Sequence, residues 1–313
     1  MKLRIGTRRS ALAQTQTRYV ISLIKAQHPD VECVVKFIST MADRDRKSEF
    51  HQFGISGVFT TEHEQSLKRH EVDIVVHSLK DLPTTLMDGL VLAAVPVRED
   101  PRDALCGNTL ASLPRGARIG TASLRRRAQM LALRKDVEIV PIRGNLQPRL
   151  NRTKGADRLD AVILAAAGLS RLDLNNEISE TLDGMTFPYA VAQGALGIET
   201  RGEDAALLKL LNPLQCARAR AEVDAERAMM HTLGAGCSLP VGVVTGWKGE
   251  TLHLHAQISS LNGEESLAAA AEGTATTAEA LGIRVAEDLK QQGGVALLQE
   301  TYRNHCPHFK LNF

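Results

Sequence analysis

Short apolar runs alternate with amphipathic segments along the first part of the chain. Residues 2–6, 31–38 and 72–76 have the apolar character of strands, whereas residues 10–24 and 58–69 repeat apolar side chains near helical spacing. The nearly continuous apolar run at 72–76 is typical of a strand that a parallel sheet buries on both faces. This β-α-β order predicts an α/β domain.

A polar stretch at residues 96–103 interrupts the pattern, which then begins again. We interpret the stretch as a crossing between two domains, because domain boundaries fall in polar segments that contain turn-forming residues. A second α/β unit is predicted, with strands at 118–120, 137–142 and 161–164 and helices at 123–133 and 146–152.

The last third of the chain has a different order of elements. Residues 214–233 are rich in alanine and predict a helix, residues 241–245 and 252–258 are strand-like, and residues 277–298 predict one long helix. This order predicts a smaller α+β domain. The predicted fold class is therefore α/β, with two α/β domains followed by a smaller α+β domain.

The composition fits a globular protein and narrows its partners. The chain has 313 residues, 43% of them hydrophobic, and 38 basic residues nearly balance 36 acidic ones. This balance, with an aromatic content of 4%, argues against a surface devoted to nucleic acid. Residues 1–6 lead directly into a strand, and the longest uncharged apolar stretch, residues 161–169, is far shorter than the ~18 residues that span a bilayer. We expect a cytoplasmic protein.

The cysteines have a spacing that excludes two common uses. The five, at positions 33, 106, 216, 237 and 306, are an odd number and contain no Cys-x-x-Cys pair, so we expect reduced thiols and no metal site. Cys237 lies in the small-residue loop GAGCSLP at 234–240 and is the most accessible-looking of them. It is either an attachment point for a covalent group or, as is commoner for cysteine, a small buried hydrophobe.

Charged side chains directly follow several of the predicted strands. In open parallel sheets, ligands bind beyond the carboxyl ends of the strands. A basic cleft that contains one carboxylate is therefore predicted. The side chains at these positions are Arg8, Lys80, Asp81, Arg125, Arg126 and Arg143.

The segment GTASLRRR at 120–127 has the composition of an anion site at a helix N-terminus. It combines a flexible glycine with hydroxyl groups suited to capping and with guanidinium groups. A solvated basic face is an equally good interpretation. Because successive helical residues point about 100° apart, the three arginines cannot all face one ligand, and at least one should be solvated or paired elsewhere.

The segment HSLKDLP at 77–83 leaves a buried strand and presents Lys80 and Asp81. A carboxylate at this position could stabilise a developing cation or transfer a proton. The commoner alternative is a capping box between Ser78 and Asp81, which have the required spacing.

The segment RGN at 143–145 precedes a short helix on which Arg149 and Arg152 share a face. It predicts either a groove for a polyanion or an exposed helix with ion pairs. The second interpretation is slightly favoured for Arg152.

Several of these segments together resemble the porphobilinogen deaminase family. They follow the family's order and extend the resemblance from about residue 3 to about residue 300. The segments are RIGTRRS at 4–10, HSLKDLP at 77–83, REDPRD at 98–103, GTASLRR at 120–126, IRGN at 142–145, LAAAGL at 164–169, QGALGIE at 193–199 and GC at 236–237.

The resemblance implies a three-domain fold in which two domains resemble periplasmic binding proteins. The chain would return to the first domain before it begins the third. Domain 1 would contain residues 1–95 and 195–212, domain 2 residues 100–190, and domain 3, with the cofactor cysteine, residues 216–313.

The resemblance also implies a transferase of tetrapyrrole biosynthesis. It would deaminate four porphobilinogen molecules and join them head to tail on a dipyrromethane cofactor, which is linked to Cys237 by a thioether. Hydrolysis would release hydroxymethylbilane, and Asp81 would be the central catalytic group. The cofactor-binding residues would be Cys237, Lys80, Asp81, Ser123, Arg125, Arg126, Ser78, Thr121 and Gly144. The substrate-binding residues would be Arg8, Ser10, Gln16, Arg143, Arg149, Asn145 and Gln193.

One loop departs from the family pattern. Met41 and Ala42 stand where the family usually has Arg-Gly, and Gln52 and Ser56 stand where lysines are frequent, although Asp43 is retained. We expect these departures to affect how the loop covers the site.

Two other hypotheses remain open from the sequence. The first is a non-catalytic carboxylate-binding protein of the same two-lobed fold, and the lack of an export signal weighs against it. The second is a nucleic-acid binder that uses residues 125–127, and the balanced charge weighs against it. By resemblance we expect a monomer that acts on a small molecule, porphobilinogen, and that binds neither nucleic acid nor membrane.

Overall fold

The computed structural model describes residues 1–39, 60–234 and 239–305, and the strands in these ranges form three sheets. The strands of the first sheet are β1 (Lys2–Thr7), β2 (Glu32–Phe37), β3 (Ile74–Ser78), β4 (Leu90–Ala94) and β10 (Leu196–Arg201). Their order is β2-β1-β3-β10-β4. Strand β1 is parallel to β2 and β3, whereas β10 is antiparallel to both of its neighbours.

Three helices in the described ranges pack against this sheet and complete the first lobe. They are α1 (Ala11–Gln27), α2 (Thr61–Lys68) and α6 (Ala205–Leu211). Helix α1 begins as predicted, because the Ser10 hydroxyl accepts a hydrogen bond from the backbone N–H of Ala13 at 3.3 Å. Its buried residues Val20 and Ile24 join Ile5 of β1 in one apolar cluster.

The second sheet repeats the arrangement of the first. Its strands are β5 (Asp103–Cys106), β6 (Arg118–Gly120), β7 (Glu138–Val140), β8 (Ala161–Ala165) and β9 (Glu180–Thr181), and its helices are α3 (Leu124–Leu133), α4 (Leu146–Leu150) and α5 (Ala166–Ser170). The order is β7-β6-β8-β5-β9, with β5 antiparallel to both neighbours, as β10 is in the first sheet. The predicted pair of α/β lobes is confirmed. The antiparallel strands β5 and β10 make both sheets mixed.

The last part of the chain is an antiparallel sheet covered by helices, as the predicted α+β class requires. Its elements are α7 (Ala217–Thr232), β11 (Val241–Lys248), β12 (Thr251–Ser259), β13 (Ser266–Gly273), α8 (Ala278–Gln291) and α9 (Gly294–His305). The strand order is β11-β12-β13. Met229 of α7, Leu254 of β12 and Val285 of α8 lie in one buried cluster. Of the helices in the described ranges, none combines the length and hydropathy that crossing a membrane needs.

The prediction of one long C-terminal helix is wrong. Residues 277–298 contain all of α8 and the start of α9, because the chain turns at Gly293, whose φ of +97° favours glycine. The sequence also gives no signal for β13. Its segment SLAAAAEG lacks the β-branched and aromatic side chains that favour strands.

The chain crosses between the first two sheets twice, after β4 and after β9, and the two crossings lie side by side. The N–H of Glu99 donates to the carbonyl oxygen of Gly194 at 3.2 Å, and the guanidinium of Arg171 donates to the same oxygen at 2.6 Å. Gly194 has a φ of +86°, and a Cβ at this position would overlap the carbonyl oxygen of Glu99. The close approach of the crossings therefore requires glycine.

We expect Gly194→Ala to lower the free energy of unfolding by about 3 kcal/mol, because left-handed strain and steric overlap add together. Gly155→Ala is the matched control, since Gly155 also has a positive φ, +90°, but would place its Cβ in open space. Strain alone should make the control lose about 1 kcal/mol. Urea unfolding followed by circular dichroism measures both, and equal losses would contradict the steric argument.

Candidate active site

The carboxylate of Asp81 lies at the carboxyl end of β3, in the turn Leu79–Asp81. The fully buried side chain of Leu79 anchors this turn, and Asp81 is half-buried. Within the described part of the chain, no group donates a hydrogen bond to the Asp81 carboxylate. The predicted capping box is therefore wrong. The Ser78 hydroxyl instead exchanges hydrogen bonds of 2.8 and 3.1 Å with the side-chain amide of Gln16.

Lys80 precedes Asp81 and points toward the second lobe. Its Nζ donates to Oε1 of Gln193 at 3.2 Å. Burial, and next the charge of Arg126, lower the pKa of Lys80 to about 8, although Asp81 and Asp103 oppose this shift. The half-buried ammonium group thus lies next to the carboxylate of Asp81 and is influenced by charges of both signs.

The predicted anion motif forms the N-terminus of α3. Ser123 is the N-cap, and its hydroxyl accepts from the N–H of Arg126 at 3.4 Å. The Thr121 hydroxyl is buried and accepts from the N–H of Ser123 at 3.1 Å. The hydroxyl groups of Thr121 and Ser123 thus shape the turn itself.

Arg125 and Arg126 do not form a solvated basic face. They are only 4% and 7% exposed, and Nη2 of each lies within 2.8 and 2.6 Å, respectively, of a carboxylate oxygen of Asp103. Arg127 turns away, and its Nε donates to the carbonyl oxygen of Leu261 at 3.4 Å. Arg127 is therefore an arginine of the three that is paired elsewhere, as expected.

Asp103, the first residue of β5, is the counter-ion that sequence reasoning missed. The side chain is fully buried. Burial by itself raises the pKa of Asp103, but the charges of Arg125 and Arg126 outweigh it and hold the pKa well below its ordinary value. The acidic residue that ends the segment REDPRD was the available signal, but the sequence does not reveal its partners.

Gln193 connects this ion pair to the first lobe. Its Nε2 donates to Oδ1 of Asp103 at 2.8 Å and to the carbonyl oxygen of Pro101 at 2.7 Å. Its Oε1 accepts from Lys80 and, at 3.5 Å, from Nη2 of Arg126. Both the nitrogen and the oxygen of this side-chain amide, which belongs to a predicted substrate-binding residue, are thus hydrogen-bonded within the protein.

Arg149 faces the same region from α4. Its Nε donates to the carbonyl oxygen of Gly144 at 2.7 Å. Burial, and next the charge of Arg126, lower the pKa of Arg149 to about 10, while Asp81 opposes them. Because the charges of Asp81 and Arg126 both shift the pKa of Arg149, the three side chains lie close enough to interact electrostatically. Arg143, on the same turn, is half-buried and is a further positive charge acting on Arg149.

The other predicted contacts are less direct. Arg8 is half-buried just beyond β1. The Ser10 hydroxyl caps α1, so its bond to Ala13 already engages it. Asn145 is exposed at the start of α4 without a side-chain cap bond, and Arg152 is exposed on the next turn, as the solvated alternative expects.

Some of the predicted residues lie outside the described ranges. They are Cys237, Asp43, Met41, Ala42, Gln52 and Ser56. Of the cysteines that are described, Cys33, Cys106 and Cys216 are free thiols, and burial raises the pKa of Cys106 to about 12. Within the described ranges, no group of three His, Cys, Asp or Glu side chains could hold a metal ion.

A second buried ion pair ties the last domain to the crossings. Arg98 Nη1 lies 2.7 Å from Oε1 of the fully buried Glu226 in α7, and its Nε donates to the carbonyl oxygen of Gln193 at 2.9 Å. Oε2 of Glu226 accepts from the N–H of Ala192 at 2.6 Å. Both members of this ion pair, Arg98 and Glu226, therefore hydrogen-bond to the backbone of the segment that carries Gln193.

The sequence matches known protein families over almost the whole chain. Residues 3–209 match the family model "Porphobilinogen deaminase, dipyromethane cofactor binding domain", and residues 220–291 match "Porphobilinogen deaminase, C-terminal domain". The chain belongs to the porphobilinogen deaminase family. The predicted membership and the predicted type of cofactor are thereby confirmed.

Individual relatives of the family are similar over their full length. The porphobilinogen deaminase of Syntrophomonas wolfei is 42% identical over 302 residues, which cover 96% of this chain and 98% of the relative. That of Trichlorobacter lovleyi is 40% identical over 309 residues, with coverage of 98% and 99%. Among solved structures, the methionine binding protein MetQ aligns over 72% of this chain and 94% of its own, with 14% identity and a TM-score of 0.41.

The described residues fit a dipyrromethane. Its pyrrole rings carry carboxylates and N–H groups. Cations from both lobes meet near Asp81 and suit the carboxylates, whereas the Asp81 carboxylate lacks a donor in the described chain and suits the N–H groups. The cations are Lys80, Arg126, Arg149 and Arg143.

We expect Asp103→Asn to lower the free energy of unfolding by about 3–5 kcal/mol, because it leaves two buried guanidinium groups without a counter-ion. Asp100→Asn is the control. Asp100 also pairs with an arginine, Arg102, at 2.7 Å, but both side chains are partly exposed, so the loss should be less than about 1 kcal/mol. Chemical unfolding at pH 7 measures both values.

The same ion pair sets a pH dependence. Because the folded-state pKa of Asp103 is depressed, its contribution is fully present above the unfolded pKa of about 4 and is lost as pH falls through the folded pKa. The difference in stability between wild type and Asp103→Asn should therefore shrink below about pH 4. A difference that stays constant down to pH 2 would contradict the assignment.

Proposed function

We propose that this chain deaminates porphobilinogen and joins four units head to tail on a dipyrromethane primer tethered to Cys237, releasing hydroxymethylbilane and ammonia. One observation carries the proposal. Asp81 is a half-buried carboxylate that has no hydrogen-bond donor in the described chain and that lies within a group of cations from both lobes.

Asp81 is suited to the step that releases ammonia. Loss of ammonia leaves an electron-poor, azafulvenium-like pyrrole, and a fixed carboxylate beside it stabilises the developing positive charge. Because Asp81 is half-buried, this attraction is stronger than it would be in water. The same oxygens can accept hydrogen bonds from pyrrole N–H groups and so orient the ring.

The surrounding cations are suited to the carboxylates of the chain as it grows. Each porphobilinogen unit brings an acetate and a propionate, so every addition increases the negative charge in the cleft. Guanidinium groups bind such carboxylates through paired hydrogen bonds. Arg149 supplies one such group, and Lys80 supplies a point charge next to Asp81. Arg126 adds positive charge, although its own donors are already bound to Asp103 and Ile163. When bound, the dipyrromethane supplies the pyrrole carbon that accepts the next unit.

A purely carboxylate-binding protein fits the site less well. A carboxylate such as that of Asp81, which accepts no hydrogen bond from the described part of the chain, repels anionic ligands and therefore weakens their binding. A carboxylate at this position is advantageous only if positive charge develops beside it during a reaction. The position of Asp81 thus favours the enzyme over the non-catalytic alternative.

We propose the domain boundaries on the same basis, with residues 1–95 and 195–212, 100–190 and 216–313 as three domains. The location of β10 in the first sheet supports the return of the chain to domain 1. We also propose a cytoplasmic monomer whose partner is porphobilinogen, without nucleic acid or membrane, as family membership suggests.

The purified chain should weigh more than its sequence by two linked pyrrole units, and Cys237→Ser should abolish this increment. Asp81→Asn should retain the primer mass but lose at least about 100-fold in kcat, because it removes the charge that stabilises the reacting pyrrole. Intact-mass spectrometry and ammonia release measure these effects.

Asp88→Asn is the control for this experiment, because Asp88 is an exposed aspartate seven positions further along the chain. It should keep both the primer and the wild-type rate. An unmodified mass in active wild-type enzyme, or a normal rate in Asp81→Asn, would overturn the proposed function.

The pKa of Lys80 predicts how activity varies with pH. As pH rises through about 8, Lys80 loses the charge that binds a carboxylate, so kcat/KM for porphobilinogen should fall. Lys80→Arg should remove this inflection, because a guanidinium stays charged at that pH. A pH profile from 6 to 9.5 tests both enzymes, and an identical inflection in both would assign the titration to another group.

A further inference from the structure

The turn that carries Asp81 is held from behind by the last domain. Leu79 and Leu82, on either side of Lys80 and Asp81, belong to the same buried apolar cluster as Met229 and Met230 of α7. The catalytic turn is thus packed into the core that α7 shares with β12 and α8. Apolar packing of this kind fixes the depth of a turn but provides little directional restraint.

One side chain of α7 supplies the directional restraint. Nη1 of Arg227 donates to the carbonyl oxygen of Leu82 at 3.1 Å, and Nη2 donates to those of Pro83 and Thr84 at 2.6 and 3.2 Å. Residues 82–84 lie outside helices and strands, so these carbonyls have no regular backbone partners. A single guanidinium therefore satisfies three consecutive carbonyls directly after Asp81.

The environment of Arg227 makes these bonds significant. The side chain is half-buried, and burial lowers its pKa to about 10, with Asp224 opposing the shift. The group is charged at neutral pH but poorly hydrated, so the carbonyl oxygens replace water as its partners. One turn further along α7, Nδ1 of His231 lies 3.5 Å from the hydroxyl of Thr85. The same face of the helix follows the turn across residues 82–85.

We propose that Arg227 is a positioning residue that fixes the orientation of the Asp81 carboxylate through the carbonyls of residues 82–84. This inference rests on the proposed function, because it concerns the catalytic aspartate of that reaction. Helix α7 ends at Thr232, five positions before Cys237, so the helix that holds the catalytic turn also leads to the proposed primer anchor. Arg227 thereby links the position of the carboxylate to the domain that carries the primer.

The chain offers a matched control on the same helix. Nη1 of Arg220 also donates to a carbonyl of the first lobe, that of Leu92 in β4, at 3.0 Å, and its Nε pairs with Asp224. Arg220→Gln therefore breaks a comparable contact between α7 and the first lobe, at a carbonyl outside the Asp81 turn. The comparison separates positioning of Asp81 from general docking of the helix.

Steady-state kinetics of the primed enzymes tests the catalytic consequence. We expect Arg227→Gln to lower kcat at least about tenfold with KM changed less than about twofold, because a small misplacement of a reacting group mainly affects the transition state. Arg227→Lys reaches fewer carbonyls and should give an intermediate kcat, which also serves if the glutamine variant does not fold. Arg220→Gln should keep kcat within about twofold of wild type. Equal kcat values in the two glutamine variants, or a wild-type kcat in Arg227→Lys, would overturn the proposal.

Hydrogen exchange tests the restraint independently of activity. The backbone amides of residues 79–86, except Pro83, which has none, should exchange about tenfold faster in Arg227→Gln than in Arg220→Gln, because local opening of the turn becomes easier. Unchanged exchange would refute the restraint. A wild-type chain without primer mass would refute the proposed function instead, so the two failures are distinguishable.

Discussion

The active site depends on one buried carboxylate, that of Asp103, which lies between two guanidinium groups. Arg125 and Arg126 are almost fully buried, and a buried cation is tolerated only when it is paired and hydrogen-bonded. Asp103 provides that pairing at the start of β5, and Gln193 extends it to Lys80 of the other lobe. Asp103 thus takes part, through Gln193, in joining the two walls of the cleft.

The third domain completes the site by contributing charges rather than a separate pocket. Glu226 of α7 binds Arg98 and so holds the segment that carries Gln193, while Arg227, the next residue, binds the carbonyls that follow Asp81. Adjacent residues of one helix therefore restrain two different parts of the cleft. Because apolar residues of the turn that carries Asp81 also lie in the core of this domain, movement of α7 would be transmitted to Asp81.

The sequence predicted the groups that follow strands directly, because the carboxyl ends of strands meet at one edge of a sheet. Lys80, Asp81, Arg125 and Arg126 are of this kind. It did not predict interactions that depend on distant residues. Asp103 and Gln193 are 90 positions apart, and Gln16 takes Ser78 out of the expected capping box from 62 positions away. Strand β5 was missed because four residues leave little periodicity to detect, and β13 was missed because its run of alanines does not alternate between apolar and polar side chains.

The pairing of charges explains why Asp81 remains available. Cations from both lobes lie close enough to interact with Asp81, and an unrestrained arginine would form an ion pair with it and neutralise the charge that we propose for catalysis. Arg125 and Arg126 are held by Asp103, and Lys80 is held by a neutral amide rather than by a carboxylate. Asp103 therefore has two effects. It permits the arginines to be buried, and it engages them away from Asp81. The cleft thus keeps a carboxylate that no protein donor engages within the described chain.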